Sequence, residues 1–369
     1  MAMVTSWNIF AESPELLAAV AASAGLESAG RFVACARLLG ASAREVLPSL
    51  GQRLRHFIVV GGEGSNGASR ASCEFLSFSS SSSWRPLASS QARRAGCAAA
   101  VLDGSLYLVG GDGSDFQTLS TVERLESPQG GRGDLTSPGA VWKSLPPMSA
   151  RRAECGAAAV AGALYVVGGR DVDGAPLASV ERYRPSAGIW EAMPPMDTVR
   201  SGCATIACCG LLCVAGGFGP SEKALDEVCC FDPTLGMLWK ALPWMRSPRA
   251  RSAAVAIGSR FCITGGLTDF DSPLTSAEYL DLPTGAAWEE LPSLRVSRWG
   301  HVAVQLAGSI CVLGGFGCLV AQSGDAANEN SEECLPTATC ERLLPNANAW
   351  LPLPEMRAPR ALFAGAVVT

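Results

Sequence analysis

A glycine pair follows a short apolar run six times along this chain, beginning at Gly61, Gly110, Gly168, Gly216, Gly265 and Gly314, at spacings of 49, 58, 48, 49 and 49 residues. A tryptophan recurs with it, at Trp84, Trp142, Trp190, Trp239, Trp288 and Trp350. Ten residues after each tryptophan stands an arginine: Arg94, Arg152, Arg200, Arg249, Arg298 and Arg360. Sixteen residues after each of the first five arginines comes the next glycine pair. Self-similarity at a period near 50 residues points to a structure built from repeated units that bury their apolar faces on one another. Two intervals are longer, because residues 127–139 and 317–337 are insertions rich in polar and turn-forming residues.

One unit reads as four short strands. The first follows the arginine, as in Cys155 to Val160, and the second is the apolar run into the glycine pair, as in Ala163 to Val167. The third carries a glutamate among bulky residues, as in Val180 to Tyr183, and the fourth carries the tryptophan, as in Ile189 to Met193. Four strands per repeat with turn residues between them are the pattern of a propeller blade. Glycine reaches positive φ without steric cost, so the pair marks a sharp turn off an inner strand. The tryptophan is suited to blade-to-blade packing, since it buries a large area. A Leu-Pro or Met-Pro soon after it ends the outer strand, where no ladder hydrogen bond is needed. The expected fold is therefore all-β, a propeller of six blades. No arginine-led strand precedes the first glycine pair, and the chain ends with one that nothing follows, Arg360 to Thr369. Residues 361–369 should pair beside Phe57 to Val60 and close the ring.

The glycine pair, the spaced tyrosine and tryptophan and the period resemble the kelch family of β-propellers. The resemblance covers residues 55–369. The tyrosine before the pair stands only at Tyr107 and Tyr165, with Ile58, Cys213, Cys262 and Cys311 in its place elsewhere. It implies a six-bladed kelch β-propeller preceded by a short helical segment over 1–54. Within that segment, Ser13-Pro-Glu is a helix start, and the apolar residues from Leu16 to Leu39 have helical spacing. Pro14-Glu-Leu-Leu-x-x-Val20 followed by Val33-x-Cys35-x-x-Leu38 resembles a degenerate F-box, which would dock the adaptor of a cullin-based ubiquitin ligase; the alternative is a helical cap on the propeller.

Composition narrows the function. Net charge is −5, which argues against a nucleic-acid partner. No run of 18 apolar residues suggests a membrane span, and the start lacks a signal-peptide pattern. Fifteen cysteines in a chain of 369 residues read mainly as small buried hydrophobes, which favours a cytosolic or nuclear location. Cys318, Cys334 and Cys340 flank the second insertion and are the candidates for oxidation. Cys97, Cys155 and Cys203 share one column, three residues after the repeat arginine, with Ser252, His301 and Phe363. No metal site or cofactor is expected. Some kelch propellers are enzymes, including copper-radical oxidases, but His56 and His301 lie in different repeats without matching tyrosines, and no catalytic residue is assigned. Arg132-Gly-Asp134 is taken as a chance match to an adhesion motif.

A protein-binding role is the reading that remains. The six arginines Arg94, Arg152, Arg200, Arg249, Arg298 and Arg360 open the innermost strands and are expected around the channel mouth. The loops after each glycine pair would add Asp112, Phe116, Arg170, Asp171, Phe218, Asp269, Phe270 and Phe316. Arginine and aromatic residues dominate interface hot spots, and guanidinium groups grip carboxylates, so the expected partner is a protein or an acidic peptide segment. The alternative for the arginines is that each pairs internally with a loop carbonyl or carboxylate. The alternatives for the chain are a ligase substrate receptor, a scaffold or cytoskeleton-associated kelch protein, and a propeller enzyme.

Overall fold

The computed structural model describes residues 56–368 apart from 78–82, 130–132, 236–237, 270–271, 283 and 319–333. The helical segment expected over 1–54, Phe270 and most of the 317–337 insertion lie outside the described residues. His56–Thr369 is one compact unit.

Six four-stranded antiparallel sheets make it up. Blade 2 runs from the inside outward as Ala98–Leu102, Ser105–Val109, Val122–Glu126 and Val141–Leu145. Blades 3, 4 and 5 repeat that order, starting from Gly156–Val160, Ala204–Cys208 and Ala253–Ile257. Blade 6 starts from Val302–Leu306. Blade 1 takes its innermost strand, Ala364–Val368, from the far end of the chain; it pairs with His56–Val60, Phe57 opposite Val367. The innermost strands touch their neighbours in a closed cycle of six. The closure expected from residues 361–369 is thus the one the chain uses, and it leaves no open inner edge.

The inner strands are apolar on both faces because both faces are covered. The core falls into six clusters, one at each junction between adjacent blades. Each tryptophan of the repeat joins one of them and donates its indole N–H, over 2.8–3.0 Å, to a backbone carbonyl of the preceding blade. Five of the six acceptors are the prolines that end outer strands; at Trp142 it is Ala88. Trp84 reaches Pro354 and so fastens the last blade to the first.

All twelve glycines of the pairs have positive φ. A Cβ on Gly62 would lie 2.6 Å from that of Phe363, and one on Gly315 would lie 2.7 Å from that of His301. The column of Cys97, Cys155, Cys203, His301 and Phe363 is therefore a packing position seated against the second glycine. A three-stranded sheet, Ser297–Trp299, Phe316–Cys318 and Leu335–Pro336, extends blade 6 at the second insertion. Of the cysteines there, Cys334 is disulfide-bonded, whereas Cys340 is a free, buried thiol pushed up to about 12 by burial. The carboxylate of Asp134 bonds Thr136 in its own turn.

Candidate functional site at the channel mouth

The six repeat arginines do not reach the mouth. Their side chains are at most 2% exposed. Each guanidinium donates to the carbonyl of the first glycine of its own blade's pair, over 2.7–3.1 Å. Five of the six also bind a buried glutamate on the third strand: Glu123, Glu181, Glu278, Glu341 and Glu74 serve Arg94, Arg152, Arg249, Arg298 and Arg360. The backbone carbonyl of each arginine accepts the N–H of the second glycine in the preceding blade. The arginine is thus a rivet between blades, and the internal pairing holds over the exposed ring. The physical reason is that five donors can satisfy carbonyls that the sharp glycine turn leaves without ladder partners. Blade 4 departs from the pattern: Cys229 stands where the glutamate would be, and Arg200 pairs instead with Glu227, at 3.3 Å, whose side chain is 40% exposed.

The mouth is lined by two other columns. Residues two after each arginine are Gly96, Glu154, Gly202, Arg251, Gly300 and Leu362, and all have positive φ. Their backbones form a closed ring of six hydrogen bonds of 2.7–2.8 Å, from Glu154 N–H to Gly96 O around to Gly96 N–H to Leu362 O. Glycine alternates with a side chain, and two of the three side chains meet: Arg251 holds Glu154 in a bidentate pair, 2.9 Å on both arms. Arg251 also lies over the rings of Phe218 and Trp299, at 5.4 and 5.1 Å.

The second column follows each glycine pair: Glu63, Asp112, Arg170, Phe218, Leu267 and Phe316. It divides the mouth, with charge from blades 1 to 3 and apolar side chains from blades 4 to 6. Arg170 pairs with Asp112 and reaches Glu154 at 3.4 Å. Phe316 stacks on Trp299 with centroids 4.1 Å apart. Glu63, Asp112, Glu154, Arg170, Arg251 and the Trp299–Phe316 stack, with Phe116, line a cavity of about 320 Å³. Burial pushes the carboxyls of Asp112 and Glu63 up, against the pull of Arg170 and Arg251 respectively. Burial also pushes Glu154 upward, but the guanidinium groups of Arg251 and Arg170 outweigh it and hold that carboxyl below its usual range.

Phe116, Arg170 and Phe316 line the cavity, and Phe218 lies beneath Arg251. Asp171 caps its own turn, and Asp269 accepts the N–H of Ala224. His301 is buried, its Nε2 2.9 Å from the Thr264 hydroxyl. Glu63, Glu154, Arg251 and Trp299 were not anticipated. The column two residues after the arginine, with glycine in every second repeat, is a signal that would have found Glu154 and Arg251.

The kelch motif family matches this chain over residues 93–127 and 151–197, in blades 2 and 3. Kelch-like protein 23 of Pongo abelii is 31% identical over 121 residues, 31% of this chain and 19% of that protein. The matched stretch is thus under a fifth of that relative's length. The solved structure titled "Structure of YjhT" aligns with a TM-score of 0.62 at 17% identity, covering 76% of this chain and 89% of that one.

Proposed function

We propose that this kelch-repeat β-propeller is a protein-interaction module that holds its partner at the channel mouth, and that the binding centre is the cleft around Phe116. One observation carries the reading. Phe116 is 81% exposed and sits at φ 58°, in the left-handed region. The same turn position holds Gly67 in blade 1 and Gly174 in blade 3, at φ 71° and 83°, and Glu222 in blade 4, at φ 55°; of these four, Phe116 is the one that sets an exposed aromatic ring over the cleft. The left-handed conformation costs a side-chain-bearing residue about 1–2 kcal/mol, and an exposed phenylalanine returns none of it through folding. Backbone strain kept at a loop tip over a cleft is a mark of function, and an exposed aromatic is a common interface anchor.

The finer reading, a substrate receptor of a cullin-based ligase, rests on the F-box resemblance of residues 1–54, and retention of the ligase adaptor by that segment tests it. A cytosolic or nuclear location is proposed as well; it is supported by the twelve free cysteines among the described residues, most of them buried as apolar side chains, with Cys334 the disulfide-bonded exception. For the mouth itself the test is Phe116→Gly. The variant should be at least as stable as the parent and should lose partner capture in an affinity purification. Undiminished capture by the folded variant would refute the reading.

A further inference from the structure

The mouth cleft has a charge to spare, and it is negative. Three carboxylates line it, Glu63, Asp112 and Glu154, against two arginines, Arg170 and Arg251. Both arginines are committed: Arg170 to Asp112 and Glu154, Arg251 to Glu154 on both arms. The Glu63 carboxylate accepts no hydrogen bond and makes no ion pair at contact distance among the described residues, although it is half-buried on the wall of the cavity and feels only the more distant pull of Arg251. An incoming carboxylate would have to break one of the existing pairs and sit beside Glu63. An incoming cation would complete the set. The adjoining walls suit the stem of such a residue, since Phe116 of blade 2 and the stacked Trp299 and Phe316 of blade 6 face the same cavity. Lysine and arginine bury their methylene stems on apolar surfaces of this kind, and the aromatic faces attract the cationic head.

We propose that the cleft takes a basic side chain of the partner, arginine or lysine, flanked by an apolar residue. The cationic head pairs with Glu63, the stem lies along Phe116 and the Trp299–Phe316 stack, and the flanking apolar residue meets the half-buried Leu362, which lines the same cavity. This rests on the mouth being the partner site. It replaces the acidic peptide expected from the sequence, because the arginines that would have gripped it are buried in glutamate pairs.

The test uses the full chain and three fluorescent nine-residue peptides, each with Leu on both sides of a central residue that is arginine, citrulline or glutamate. Anisotropy should show the arginine peptide binding, and citrulline, which keeps the shape without the charge, binding at least about tenfold more weakly, as expected for losing one charge-assisted contact. Glu63→Gln should bring the arginine peptide down to the citrulline level, and this variant breaks no hydrogen bond or close ion pair of the Glu63 side chain among the described residues, so folding is not at risk. Preference for the glutamate peptide, or an arginine preference that survives Glu63→Gln, would overturn the proposal while leaving the mouth reading in place. If no peptide bound, and Phe116→Gly also left partner capture unchanged, the mouth reading itself would fall.

Discussion

Replacing Arg298 by alanine should cost far more than the same change at Arg200, although the two arginines occupy the same place in their repeats. The Arg298 side chain is 1% exposed and that of its partner Glu341 is 4% exposed, with 2.7 Å between them. The guanidinium also satisfies the carbonyls of Gly314 and Thr339. Truncation strands a buried carboxylate with one backbone donor, Arg295 N–H, and leaves both carbonyls without that donor. Breaking a buried pair in this way costs about 3–5 kcal/mol. At Arg200 the partner, Glu227, is 40% exposed, so water can take over its carboxylate. What remains is the loss of hydrogen bonds to the Gly216 and Glu227 carbonyls, on the order of 1–2 kcal/mol. Urea unfolding followed by tryptophan fluorescence reads the difference, with the slopes checked for equality. The expected gap is about 2–3 kcal/mol. A double variant, Arg298→Met with Glu341→Leu, should recover at least half the loss, because an apolar pair removes the stranded charge. Equal costs at the two positions, or no recovery in the double variant, would refute the assignment of the arginines as buried rivets.

Two further outcomes follow from the same geometry. His301 is fully packed, and burial, with Arg298 and Arg249 beside it, holds its pKa well below 6.5. The unfolded chain therefore binds a proton that the folded one refuses, so this group's contribution is intact above pH 6.5 and is lost as pH falls below it, by up to about 1.4 kcal/mol per pH unit. The parent minus His301→Phe difference in melting should fall between pH 7.5 and 5; a flat difference would exclude a buried neutral histidine. Removal of residues 361–369 takes away the innermost strand of blade 1, whose partners are His56–Val60, and should abolish cooperative melting; a truncated chain melting at the parent temperature would contradict the closure.

The blade count, the closing strand and the tryptophan junctions were legible because each depends on a periodic residue whose role is local to its repeat. The arginines were legible as a column but not in direction. Their position at the head of an inner strand places the Cα near the mouth, yet the side chain turns back into its own blade, toward a glutamate 29 residues on in three of the six repeats. That offset, Arg94 to Glu123, Arg152 to Glu181 and Arg249 to Glu278, was present in the sequence. Blade 4 breaks it with Cys229, the insertion delays it for Arg298, and ring closure moves the partner of Arg360 to Glu74, so it does not stand out as a repeat. The ion pair of Glu154 and Arg251 joins residues 97 positions apart, a contact that only the closed ring creates.

The central claim is that a partner protein is gripped at the mouth, and a photo-crosslinker tests it most directly. With p-benzoylphenylalanine in place of Phe116, irradiation of cells expressing the full chain should yield a covalent adduct with a protein. The same group in place of Leu235, which is 79% exposed on the hairpin at the other end of blade 4, should not. Adducts at position 235 with none at 116 would contradict the account.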